Sequence, residues 1–188
     1  MSEPLRPSFT LRVPPGEERR RRVCDHCGFI DYVNPRIVAG AVIAYAETGP
    51  PHGAGAVPLE EVQVLLCKRA IHPRKGYWTL PAGFMAPGET TREAARRETR
   101  EEACAEFEHD GLLAIFDVVH REQVHIFQRG RLTEPRFAPG PESLDVKLFG
   151  WAEIPWEDLA FTTVHWALRA WLDSREREGF APYGNEAG

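Results

Sequence analysis

The sequence predicts a mixed α/β or α+β sandwich, and three observations predict it. Val- and Ile-rich apolar runs stand both before and after one segment of strong helix formers. That segment opens on a capping sequence. A second set of apolar residues at helical spacing closes the chain.

A chain of 188 residues with net charge -5 suffices for one well-buried domain, or for one domain with a small appendage. The mildly acidic balance argues against general nucleic-acid binding, which needs a basic face. The opening "MSEPLRPSFTLRVPPGEERRRR" lacks the apolar core of a secretory signal, and no later run approaches the roughly 20 apolar residues of a membrane helix. A soluble, cytoplasmic protein without membrane or nucleic-acid partners is expected. Residues 1 to 22 are Pro- and Arg-rich and aperiodic; Arg19 to Arg22 follow Glu17 and Glu18 and read as solvated and largely neutralised. The expected division is an N-terminal tail with a partial module over residues 1–35, a main domain over 36–180 and a C-terminal tail over 181–188.

Each element has its own warrant. "IVAGAVIAY" and "VQVLLCKRA" read as buried strands separated by the loop "TGPPHGAGAVP". "GYWTLPAGFMAPGE" reads as a short strand feeding a tight glycine- and proline-marked loop. Thr90 with Glu93 forms a capping box, so a helix is predicted from about residue 91 to about 104. "LLAIFDVV", "QVHIFQRGRL" and "SLDVKLFGWAEI" predict further strands, and "PRFAPGPE" a loop between the last two. Val164, Ala167, Leu168, Trp171 and Leu172 predict the closing amphipathic helix.

Within the first helix, Glu98, Glu101 and Glu102 share one face at spacings of three and four. A salt-bridged surface, with Glu93–Arg97 and Arg97–Glu101 at i,i+4, is one reading. Against it, Glu98 and Glu102 are like charges at i,i+4, which costs about 0.2–0.5 kcal/mol. A divalent cation reverses that penalty, because hard cations take oxygen ligands together with substrate phosphates. Gly83 and Gly88, bracketing "FMAP", permit close backbone approach, so a main-chain carbonyl can join the metal shell.

The segment "GFMAPGETTREAARRETREEACA", Gly83 to Ala105, resembles the Nudix box, G-x5-E-x7-R-E-U-x-E-E-x-G-U, with U a bulky aliphatic. Gly83, Glu89, Arg97, Glu98, Glu101 and Glu102 match at the required spacing. Thr99 and Ala105 replace aliphatic positions, and Cys104 replaces a glycine, which suggests a helix end that needs no left-handed glycine or uses another cap. The resemblance implies an α/β/α sandwich with a mixed sheet and a glycine loop-helix catalytic motif, which cleaves a nucleoside diphosphate linked to another group with Mg²⁺ or Mn²⁺. It implies Gly83, Glu98, Glu101 and Glu102 as metal ligands, one glutamate doubling as base, and a Glu89–Arg97 ion pair bracing the loop. A homodimer follows by analogy.

The wider segments "CDHCGFIDYVNPRIVAGAV", "LLCKRAIHPRKGYWTLPAGF" and "FAPGPESLDVKLF" resemble a zinc-ribbon-bearing Nudix subgroup that includes ADP-ribose/NADH pyrophosphatases and a plant FAD pyrophosphatase. A structural zinc takes four ligands, and Cys24 with Cys27 supplies one knuckle. A vestigial knuckle without zinc is expected, with His26 or His52 as substitute ligands otherwise; Cys67 reads as core. Arg36, Lys68, Arg69, Arg74 and Lys75 are either phosphate donors or solvated surface. Trp78 reads as core, Tyr77 and Phe84 as stacking candidates, Glu142 as a secondary base or metal contact, and His120 and His125 as turn-flanking residues without a catalytic role. The expected activity is pyrophosphate hydrolysis of FAD, NADH or ADP-ribose. House-cleaning of nucleoside triphosphates and a catalytically silent nucleotide sensor are the alternatives.

Overall fold

A computed structural model describes residues 8–185 and divides between Pro35 and Arg36 into two compact units. Residues 1–7 and 186–188, which include parts of both expected tails, lie outside the described residues.

The smaller unit is a three-stranded antiparallel sheet of β1 (Phe9–Arg12), β2 (Arg21–Cys24) and β3 (Ile30–Asp31). Residues read as a tail or a fragment of a small module pair here as strands, with Phe9 opposite Cys24 and Arg12 opposite Arg21. Val23 and Cys24 are the sheet's buried residues, and charge and aromatic contacts flank them. The Arg22 guanidinium lies 5.0 Å over the Phe9 ring, and Arg21 Nε donates to Glu17 Oε2 at 2.9 Å. Period-two hydrophobicity is blind to such a sheet.

The larger unit contains β4 (Arg36–Tyr45), β5 (Gln63–Arg69), β6 (Trp78–Thr79), β7 (Ala82–Phe84), α1 (Thr91–Ala103), β8 (Glu108–Val118), β9 (Gln123–Arg131), β10 (Ser143–Gly150) and α2 (Thr162–Ser174). The sheet order is β10-β5-β4-β9-β8, with β6 on β5 and β7 on β4. β4 and β9 run parallel while the other pairs are antiparallel, so the sheet is mixed as expected.

Successive residues of a strand face opposite sides, and both sides of β4 and β5 are covered. Val42, Ala44, Val64 and Leu66 pack with Val164, Leu168 and Trp171 of α2. Ala41, Ile43, Leu65 and Cys67 pack with Ala95 and Ala103 of α1. This is why "IVAGAVIAY" and "VQVLLCKRA" are apolar without alternation. The small side chains of α1 let that helix lie close to β4. Thr99, at an aliphatic position of the box, is fully buried and donates from Oγ1 to Ala95 O at 2.7 Å. Its hydroxyl is thereby satisfied within the helix.

The capping box predicted at Thr90 is present: the Thr90 side chain accepts from Glu93 N–H and the Glu93 carboxylate accepts from Thr90 N–H. At the other end Cys104 sits at φ 48, ψ 34. The helix thus keeps the left-handed terminus that glycine serves in the box, which corrects the expectation that the substitution removed the need for it. An L-residue there is strained where glycine is not. Cys104→Gly is expected to raise stability by about 0.5–1 kcal/mol, read as an increased denaturant midpoint with unchanged slope.

At the far edge, Tyr183 bonds along β8, donating its N–H to Leu113 O and accepting from Ile115 N–H. Asn185 adds side-chain bonds to both backbone groups of Asp117. The described part of the expected C-terminal tail therefore covers a sheet edge.

Candidate active site

Three elements converge at the N-terminal half of β4. The sharp Leu80–Pro81 link moves the chain from β6, paired with β5, to β7, paired with β4. β7 then lies over α1, and the loop from Phe84 to Glu89 delivers into the helix.

Arg97 organises the loop. Its Nε and Nη2 grip both Glu89 oxygens at 3.1 and 2.7 Å, and Nη2 also donates to Phe84 O at 3.0 Å. Ala86 N–H donates to Glu89 at 2.6 Å. The Arg97 bond and then the Ala86 bond push the Glu89 carboxyl down to about 2. The brace expected between Glu89 and Arg97 is thus formed, in the bidentate geometry that makes such pairs strong. Of the two i,i+4 pairs expected for Arg97, only that with Glu101 forms, at 3.1 Å; Glu93 turns to Thr90 instead. Nη1 also reaches Glu98 Oε1 at 2.6 Å.

Glu98 and Glu102 are buried whereas Glu101 is exposed. Glu98 lies directly against Gly83, where a Cβ would overlap its carboxylate, so glycine is required by this approach. Glu102 Oε2 accepts from Ala82 N–H at 3.0 Å. Burial, followed by the negative charges of Glu98 and Glu142, raises the Glu102 carboxyl to about 8, while the Ala82 bond and Arg69 oppose the rise. Burial also raises Glu98, against its bond to Arg97. The result is a pair of buried carboxylates whose charge is incompletely compensated.

The loop Phe137 to Glu142 holds the end of α1. Ala138 N–H caps Ala103 O at 2.9 Å and Gly140 N–H caps Glu102 O at 3.1 Å. Gly140 packs so tightly that a Cβ would overlap the Glu101 carbonyl oxygen. Glu142 follows, its carbonyl accepting from Ala70 N–H at 2.8 Å, which places its charge within reach of Glu98 and Glu102. These backbone contacts were not readable from side-chain types; the "PG" of the loop marked a turn but not its docking on the helix.

The other sequence candidates fall in different places. Arg36 stacks over the half-exposed Phe84 ring at 4.5 Å, beside the brace. Arg69 donates to Pro73 O at 2.8 Å, and its charge reaches Glu102. Lys68 is instead drawn over Trp78 at 5.7 Å, and Arg74 over Tyr77 at 5.0 Å. Trp78 is buried edge-on against Phe149, as expected of core. Cys67 is buried, and burial pushes its thiol far up.

His52, considered as a zinc ligand, is buried in the larger unit, where its Nδ1 accepts from Trp171 Nε1 at 3.3 Å and Nε2 lies 3.1 Å from Asp110. Burial holds it down at about 4, so it is neutral. In the smaller unit, backbone N–H groups of Cys27 and then His26 point at the Cys24 sulfur and lower its pKa. Among the described residues no group of three His, Cys, Asp or Glu side chains stands ready to hold a metal ion. For zinc, which requires four ligands, Cys24 and Cys27 do not suffice. For a hard divalent cation the α1 donor set is chemically suitable: oxygen donors only, two of them buried with raised proton affinity, although Glu98 and Glu101 now contact Arg97. No helix among the described residues is long and apolar enough to cross a membrane.

Comparison with known proteins agrees with this geometry. Residues 49–172 match the NUDIX domain family, and residues 7–33 match the family described as Nudix N-terminal. A NUDIX hydrolase from Nitrosomonas europaea is 39% identical, with 94% of this chain and 93% of that one covered and a TM-score of 0.79. An ADP-ribose pyrophosphatase from Streptococcus suis shares the fold at 20% identity, covering 81% of this chain and 100% of that one, with a TM-score of 0.61. The human 8-oxo-dGDP phosphatase NUDT18 is 46% identical over 56 residues, which span 30% of this chain and 17% of that protein. With the family match over most of the larger unit and the glutamate face in place, the chain belongs to the Nudix hydrolase family.

Proposed function

We propose that the protein hydrolyses the pyrophosphate bond of a nucleoside diphosphate linked to another moiety, with FAD, NADH and ADP-ribose favoured, releasing AMP and a second phosphorylated product. The observation that carries this reading is the buried Glu98–Glu102 pair under the Gly83 loop, two carboxyls whose full ionisation is costly unless a cation and a phosphate occupy the site. Nudix enzymes use divalent metals, and Mg²⁺ or Mn²⁺ is proposed here. Glu98, Glu101 and Glu102, with the Gly83 carbonyl, would hold the cation. When bound, it supplies neutralisation of charge on the phosphoryl oxygens.

The chain's own residues supply the rest. The Glu89–Arg97 brace fixes the loop, so that the carbonyls and amides of residues 82–86 keep their positions. Glu101, exposed at the edge of the cluster, is proposed to accept a proton from an attacking water, with Glu142 as the second candidate. Phe84 presents an exposed ring for a flat base or flavin, with Arg36 over it; Tyr77, Lys68 and Arg69 are proposed as further substrate contacts.

The test is a panel of FAD, NADH, ADP-ribose and nucleoside triphosphates, each with Mg²⁺ and with Mn²⁺. A dinucleotide or nucleotide sugar giving AMP is the expected best substrate, and Glu101→Gln is expected to lower its turnover about 10²-fold with folding intact. Wild-type rates in that variant would remove the proposed base. The segment shared with the 8-oxo-dGDP phosphatase favours a second reading, house-cleaning of damaged nucleotides. Products separate the two, since a damaged nucleoside diphosphate releases orthophosphate and a triphosphate releases inorganic pyrophosphate, whereas a dinucleotide or nucleotide sugar releases neither.

A further inference from the structure

A cleft of about 620 Å³ opens beside the first turns of α1, away from the glutamate face. Arg92, Glu93 and Arg96 stand on its helix side, and His109 and Leu112 of β8 with Gln128 of β9 form the opposite wall. At about 100° per residue, Arg96 lies roughly 200° around the helix from Glu98, so the two groups serve different surfaces.

Glu93 also lines this cleft, but among the described residues no carboxylate forms an ion pair with either of its two arginines. The carboxylates near them are engaged with other groups: Glu93 by the amide and hydroxyl of Thr90, Glu98 and Glu101 by Arg97, and Glu106, just beyond the helix, by Arg100. None of these pairs with Arg92 or Arg96, and the Arg96 Nε is buried with no hydrogen-bond partner. Two like charges at i,i+4 destabilise a helix, and an orphaned buried guanidinium donor adds to that cost. Meanwhile the cleft wall is built rather than loose. Gln128, 2% exposed, donates to Thr91 Oγ1 at 3.3 Å and sets its Oε1 2.8 Å from His109 Nε2. Burial, then the fields of Arg92 and Arg96, depress the His109 pKa against its bond to Gln128 and the charge of Asp110.

We propose that this cleft is a second, metal-independent binding site for a phosphorylated small molecule, with its phosphate held by Arg92 and Arg96. Guanidinium forks match phosphate oxygens, and the volume falls within the roughly 300–1,000 Å³ range of small-molecule sites, more than a bare phosphate needs. Leu112 offers an apolar surface to the remainder of the ligand.

The experiment is calorimetric titration of the full chain in EDTA with inorganic pyrophosphate and, separately, with AMP. Without divalent cations the glutamate face repels both probes. Saturable binding is expected, weakened at least about tenfold in the Arg92→Gln/Arg96→Gln double variant and unchanged in Glu101→Gln. Stronger binding of AMP than of pyrophosphate identifies a nucleotide site; the reverse identifies a site for the phosphate group alone. As a second measurement, the His109 ring resonances shift on ligand addition to the wild type and not to the double variant. Absence of saturable binding, equal affinity in the double variant, or loss of binding in Glu101→Gln instead would each overturn the proposal. Pyrophosphatase activity does not enter the test, so its outcome is independent of the proposed reaction.

Discussion

Replacing Glu102 by Gln is expected to lower turnover by about 10²-fold or more while stabilising the metal-free protein at pH 8 by about 1–3 kcal/mol. The opposite signs share one cause. Glu102 is almost wholly buried, and its carboxyl is raised from 4.5 to about 8 by burial and by the charges of Glu98 and Glu142. Between those two pH values the folded chain holds a proton that the unfolded chain has released, so in EDTA the stability falls as pH rises from about 4.5 to about 8. Below that window Glu102 carries no penalty; above it the full penalty is present. Glutamine keeps an oxygen for the Ala82 N–H and removes the titration, although its unpaired amide takes back part of the gain. Thermal melts of both proteins in EDTA at pH 5 and pH 8 check this. The gap is expected at pH 8, to shrink at pH 5, and to close when Mg²⁺ binds wild type preferentially. Equal pH dependence in the two proteins would show that Glu102 is not the strained group.

Arg129→Ala is expected to destabilise the larger unit by about 3–5 kcal/mol, a drop in melting temperature on the order of 10 °C. Arg129 lies on β9 with 1% exposure and joins three parts of the chain. Its Nε donates to Asp110 at 2.8 Å, Nη1 to Ser174 O at 2.8 Å and Nη2 to Arg177 O at 3.1 Å, while the guanidinium lies 4.5 Å over Phe180. Asp110 is in turn 3.1 Å from His52, which accepts from Trp171. Alanine removes the donor to the Arg177 carbonyl, leaves the Ser174 carbonyl with only the Arg177 N–H, and leaves Asp110 without its cation. Arg129→Lys keeps the charge but cannot reach three acceptors at once, so it is expected to recover less than half of the loss. Chemical denaturation of the three proteins tests this; full recovery by lysine would reduce Arg129 to a charge rather than a clamp.

Both residues mark how far sequence reading went. The fold class, the elements of the larger unit and the face shared by Glu98, Glu101 and Glu102 were legible, because each rests on spacing along the chain: period two, period 3.6 and a capping box. Arg129 looked like one more charge in "QVHIFQRGRL", since the partners that make it a clamp are 19 to 48 residues away. A small N-terminal module was expected from the CxxC, but its strands Phe9–Arg12 and Arg21–Cys24 were not, because they carry few alternating apolar residues. His52 looked like a spare ligand until burial against Trp171 took it.

By itself, then, the sequence determined which side chains can carry chemistry and on which helix face they lie, because local periodicity and the spacing of the Gly83 to Ala105 segment are properties of the chain alone. Tertiary structure decided their surroundings and, through them, their proton affinities. Whether a glutamate is exposed like Glu101 or buried with a raised pKa like Glu102 depends on the Ala82–Gly83 loop, on Glu142 and on the loop capping α1. Desolvation and long-range charge are set by what packs around a group, and no spacing rule along the chain contains them.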